Sequence, residues 1–154
     1  MADIHISDFH KDAARALNML YSSFPRKLTM FVEDIAGPDA PDEFGLHSPR
    51  HMACLSCLMW LADEGYIRYE DTVRQEAVDQ ATLTHKGFTL LSALISCRSR
   101  LANHATQINA QLEPVLEQSD IEGDFAPAID LVRAALRGGS SNAVDAIMQI
   151  LLNR

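Results

Sequence analysis

Apolar residues recur three and four positions apart from Phe9 through Ala13, Ala16, Leu17, Leu20 and Tyr21 to Phe24, the spacing of one helical face. Ser7 is placed to cap this helix and Pro25 to stop it, so the pattern predicts a helix from about Asp8 to Phe24. The apolar run Lys27–Val32 predicts a very short strand leading into a second short helix that ends near Ala36. Gly37, Pro38 and Pro41 then break the chain, and residues 37–47 read as a polar loop. Ser48-Pro49 sets a capping hydroxyl before a proline at the first helical position. Met52, Leu55, Leu58, Met59 and Ala62 carry that third helix to about Glu64, with Gly65 as the reversing residue. Tyr66–Glu70 and Ala77–Leu83 read as two strands around a polar stretch, Asp71–Glu76. Thr84 is placed to cap the next helix, opening His85-Lys86-Gly87.

The second half has a different rhythm. Leu91, Leu94, Arg98, Leu101, Ala105, Ile108, Leu112 and Val115 alternate three and four apart, which is heptad spacing. It predicts one long helix from residue 86 to about 113, ended or kinked by Pro114. Phe125, Ile129, Val132 and Leu136 mark a further helix that Gly138-Gly139 ends. A last helix, capped by Ser141 or Asn142, is expected to bury Val144, Ile147, Met148 and Leu151.

Helix, short strand, helix, loop, helix, two-stranded hairpin, helix is the order of a winged helix-turn-helix. Leu61-Ala62-Asp63-Glu64-Gly65-Tyr66-Ile67 resembles the exit of a third helix into the first wing strand. Ala81-Thr82-Leu83-Thr84-His85-Lys86-Gly87 resembles the L-T-x-x-G phrase that closes the wing in MarR- and PadR-like bacterial regulators. The resemblance spans about residues 8–95. It implies a mainly α fold: a winged helix-turn-helix domain with a small two-stranded β-wing over residues 1–90, and a helical extension over 91–154. By analogy with those regulators, the extension is expected to form a homodimer; its alternative is to fold back within one chain. The physical grounds are structural: a glycine that reverses the chain, an aromatic and β-branched pair that starts a half-buried strand, a threonine that caps a helix. Such grounds speak to fold more than to function.

Charge narrows the uses of that module. The 154 residues carry a net charge of −8, and residues 1–88 hold 8 basic against 14 acidic side chains. This argues against a general nucleic-acid coat protein, because neutralising phosphates takes clustered Lys and Arg. A sequence-specific binder of double-stranded DNA remains open. In it, Arg50, His51 and Ser56 of the third helix would approach bases, Arg68 and Arg74 of the wing would hold phosphates, and Arg26 and Lys27 would add a contact. Against this stand the apolar third helix and the wing's own Glu70, Asp71, Glu76 and Asp79. These suit a protein partner instead, and a protein-interaction module with little DNA affinity is the alternative.

No catalytic fingerprint, phosphate loop or dinucleotide motif is present, so no enzyme activity and no cofactor are expected. Cys54 and Cys57 form a CxxC inside a helix, where two small packed side chains are the plainer reading than redox chemistry or zinc. The six histidines make no HExxH-like pair, and no metal site is expected. Three cysteines without disulfide spacing, a polar N-terminus and the lack of an apolar run of roughly 18 residues lead to the expectation of a cytoplasmic protein without a membrane span.

Overall fold

The computed structural model describes residues 3–96, 114–117, 119, 121 and 125–153. The fold is mainly helical with a small antiparallel sheet. It divides into two compact units, one of residues 15–88 and the other of residues 1–14 with 89–154. The first 14 residues, expected with the N-terminal domain, therefore group with the C-terminal segment.

Helix α1 (Ile4–Ser23) runs through both units, and its second half lines the core of the 15–88 unit with Ala16, Leu17 and Leu20. Strand β1 (Leu28–Phe31) leads directly into the five-residue helix α2 (Val32–Ala36). Arg15 of α1 ties that helix to α2 by donating to the Ile35 carbonyl at 2.9 Å. Helix α3 (Pro49–Asp63) starts as the sequence leads one to expect: the Ser48 hydroxyl accepts the His51 N–H at 3.2 Å, and Pro49 fills the first turn. Its inward face is Leu55, Leu58 and Leu61 with the small thiols of Cys54 and Cys57.

The sheet is arranged around strand β4 (Ala77–Leu83). It pairs with β1 on one side and with β2 (Ile67–Arg68) and β3 (Asp71–Val73) on the other. The expected polar stretch after Glu70 is thus partly strand: Asp71–Val73 continues the hairpin after a bend at Tyr69 and Glu70. A bulge lies in β4, because Leu28 pairs with Ala81 while Met30 pairs with Val78. Gln80 takes the extra position with a φ of 55° and faces solvent. The bulge resets the alternation, so Ala77 and Val78 are buried before it and Ala81, Thr82 and Leu83 after it.

Helix α4 (His85–Ser92) is joined to the end of α3 by a compact junction. The Thr84 hydroxyl donates toward the Gly65 and Tyr66 carbonyls and accepts the Gly87 N–H at 3.1 Å. Gly65 reverses the chain with a φ of 82°. Gly87 lies so near the Tyr66 backbone that a Cβ on it would stand 2.1 Å from the carbonyl oxygen. Tyr21 and Phe24 stack on Phe88, closing the core over this junction.

In the second unit, β5 (Leu94–Ser96) pairs with β6 (Phe125–Pro127). The expected long helix from 86 to 113 is therefore corrected: α4 stops at Ser92. The Ala93 carbonyl accepts from the distant Ala128 N–H at 2.9 Å, and the next three residues form strand. Backbone partners far along the chain replace those a continuing helix would offer. The heptad positions Arg98, Leu101, Ala105, Ile108 and Leu112 lie outside the described residues. Phe125 belongs to β6 rather than to the helix that follows, and it is exposed. Helices α5 (Ala128–Gly138) and α6 (Ser141–Leu152) form the expected pair. Gly139 ends α5 in the left-handed region, and Ser140, one residue before the expected cap, caps α6. On α6, the half-buried Asp145 accepts from the Ser7 hydroxyl at 3.2 Å and from His10 Nδ1 at 3.0 Å. Among the described residues, no helix is long and apolar enough to cross a membrane.

Gly87→Ala should be the costliest single methyl in the 15–88 unit. We expect it to lower stability by about 3 kcal/mol or more, because the methyl meets backbone that cannot swing aside. Urea unfolding of the two proteins measures this, and equal midpoints would mean that the close approach at Tyr66 is not rigid.

Candidate functional site

The first turn of α3 brings three segments of the chain together. Ser48 caps the helix, so His51 falls on its third residue and turns inward, where it is only 2% exposed. Its Nε2 lies 2.8 Å from the Gln75 carbonyl. A carbonyl only accepts, so Nε2 carries the proton. The other ring nitrogen, Nδ1, is buried and has no hydrogen-bond partner among the described residues. It lies 3.8 Å from Asp39 Oδ2.

That carboxylate oxygen is already a hub. It accepts from His47 Nδ1 at 2.9 Å and from the Ser48 N–H at 3.2 Å. Hydrogen bonds from the Ser48 side chain and from His47 hold the Asp39 carboxyl below its usual range, at about 2. The His47 and His51 rings stack almost parallel, 3.9 Å between centroids. Asp39, His47 and His51 thus bring three ligand-type atoms within 4.8 Å of one another. Reading the histidines one by one misses this group. The signal was the spacing of four between His47 and His51, obscured because His47 precedes the helix cap and Asp39 comes from the loop before it.

Gln75 sits at the tip of the β3–β4 hairpin. The Glu76 N–H closes the turn onto the Val73 carbonyl at 2.7 Å. Its two central residues, Arg74 and Gln75, have φ of 49° and 63°. Glycine or asparagine usually fills such positions, since a side chain there costs about 1–2 kcal/mol each. The His51–Gln75 bond joins this strained tip to the start of α3.

The expected DNA-contacting residues differ in how they are exposed. His51 is not placed to approach a base: its ring is buried and one nitrogen is committed to the hairpin. Arg50 is half-buried, Ser56 is exposed on α3, and Arg26, Lys27, Arg68 and Arg74 are all exposed. Lys27 is paired with Glu70 at 3.0 Å across the strands. The outward stripe of α3, at helical spacing, is Pro49, Ala53, Ser56, Trp60 and Asp63, with Met59 beside Trp60. It holds no Lys, Arg, Asn or Gln. Trp60 leans toward Tyr66, whose ring lies under the Lys86 ammonium at 4.3 Å. Cys54 and Cys57 are buried thiols on the opposite side of the helix. No protein family matches this chain, and neither does any curated protein or solved structure.

Because His51 holds the Gln75 backbone rather than its side chain, Gln75→Gly should keep the tie and relieve the turn. Thermal unfolding should show a gain of up to about 1 kcal/mol. A loss would mean that the Gln75 side chain itself supports the tip.

Proposed function

We propose that residues 15–88 are a winged-helix unit that works by docking α3 onto a protein partner. The order α1-β1-α2-α3-β2-β4-α4, with β1 and β2 flanking β4, supports the winged-helix reading. The choice of partner rests on one observation: the outward stripe of α3 offers Met59 and Trp60 where a base-reading helix needs hydrogen-bonding side chains. Tryptophan and methionine are enriched at the centres of protein interfaces, and tryptophan is a common hot spot. The surroundings are acidic. Asp63, Glu64, Glu70, Asp71 and Glu76 are exposed at the end of α3 and along the hairpin. The partner that fits has an apolar socket for Trp60 flanked by Lys or Arg side chains.

A second reading is a DNA-binding regulator of the kind the resemblance implies. What favours it is the exposure of Arg68 and Arg74 on the hairpin and of Arg26 and Lys27 beside it.

The two readings part in one pair of experiments. Photo-crosslinking from position 56 in living cells should capture a protein that Trp60→Ala with Met59→Ala no longer captures, with an expected loss of at least tenfold. Fluorescence anisotropy on random duplex DNA should show no binding even at low salt. Salt-dependent DNA binding that Arg68→Ala and Arg74→Ala abolish, with crosslinking indifferent to Trp60, would overturn the protein reading and establish the regulator.

A further inference from the structure

We propose that Asp39, His47 and His51 form a binding site for a divalent transition-metal ion, held by Asp39 Oδ2, an imidazole nitrogen of His47 and Nδ1 of His51. The Nε2 proton of His51 is fixed on the Gln75 carbonyl, so in the neutral ring Nδ1 is a bare lone pair. That lone pair is buried, has no hydrogen-bond partner among the described residues, and lies 3.8 Å from a carboxylate oxygen. Two electron-rich atoms so close in a buried place are unfavourable unless a positive charge lies near both. His47 supplies the third group of the same hub, and its side chain is nearly as buried as that of His51.

Distances agree with one ion once the stacked rings of His47 and His51 tilt so that each directs a nitrogen at it. Ligands at roughly 2.0–2.2 Å around a tetrahedral ion stand about 3.3 Å apart. The Asp39–His47 and Asp39–His51 separations, 2.9 and 3.8 Å, bracket that value. The ion would take the place of the proton now shared between His47 and Asp39.

The surroundings are those of a ligating histidine. Such a ring donates its other N–H to a carbonyl or carboxylate, which sets tautomer and direction, and His51 does this to Gln75. Asp39 is oriented in turn by the Ser48 N–H. Two imidazoles and one carboxylate suit zinc and its first-row neighbours better than calcium or magnesium, whose ligands are oxygens. Three protein ligands leave a coordination position for water. Its three ligands come from the loop before α3, the residue preceding the Ser48 cap and the first turn of α3, and His51 extends the link to the hairpin tip. The site stands whether α3 meets protein or DNA.

The experiment uses the full chain, stripped with a chelator and titrated with Zn²⁺ and Co²⁺. We expect one ion per chain by equilibrium dialysis and a thermal midpoint that rises with metal concentration. Asp39→Asn and His47→Gln should each weaken binding by more than about 100-fold, exceeding the effect of losing an outer partner. Cys54→Ser with Cys57→Ser should leave affinity unchanged. Should either ligand variant fail to fold, the Co²⁺ spectrum of the unaltered protein still decides. Ligand-field absorption without a thiolate charge-transfer band supports the site. A thiolate band, binding that survives both Asp39→Asn and His47→Gln, or no saturable binding would overturn it.

Discussion

The backbone carbonyl of Tyr66 is the point on which residues 15–88 depend. It receives the Thr84 N–H at 3.1 Å and the Thr84 hydroxyl, and Gly87 lies against it with no room for a side chain. Two helix ends and two strand ends meet there. Ile67 then pairs with Leu83 and Arg68 with Thr82, which sets the hairpin register. With the exit of α3 anchored in this way, its roll follows. Leu55, Leu58 and Leu61 are committed to the core, and Ala53, Ser56 and Trp60 are left outside.

What lies outside decides what the surface can recognise. A helix that presents Trp60 and Met59 gives up bidentate contacts to bases and gains large, rigid apolar area. The hairpin beside it mixes signs: Lys27 is engaged with Glu70, and Thr29 donates to Asp79 at 2.6 Å. Cations that neutralise neighbouring carboxylates have less to offer a phosphate backbone. The Asp39–His47–His51 group lies at the other end of α3, so the helix carries a titratable cluster at its start and exposed apolar side chains toward its end.

Much of this unit was legible in the sequence because its punctuation is local. Ser48-Pro49, Gly65 and Thr84 act within a few residues of themselves, and the elements they bound appear where expected. The departures are non-local. The β4 bulge at Gln80 and the strand at Asp71–Val73 are set by pairing across the sheet, and no short-range pattern announces them. The end of α4 at Ser92 depends on Ala128, 35 positions past Ala93. His51 illustrates the same limit for function. At the first turn of the third helix it reads as a surface group, yet the hairpin tip draws it inward to the Gln75 carbonyl. The candidate site was visible only as a pair of histidines four apart; its third member and its burial required the fold.

The pinning of Asp39 to His47 and Ser48 has a consequence for how this protein can vary. The hub joins both ends of the excursion 40–46, whose residues are all exposed and whose turn is organised by Asp42 accepting from the Phe44 and Leu46 N–H groups. Lengthening a loop whose ends are already held together costs little, about 0.6 kcal/mol for each doubling. The excursion is therefore the place where evolution or an engineer can splice in extra sequence, from a few residues to a small reporter domain, while the cap of α3 stays in register.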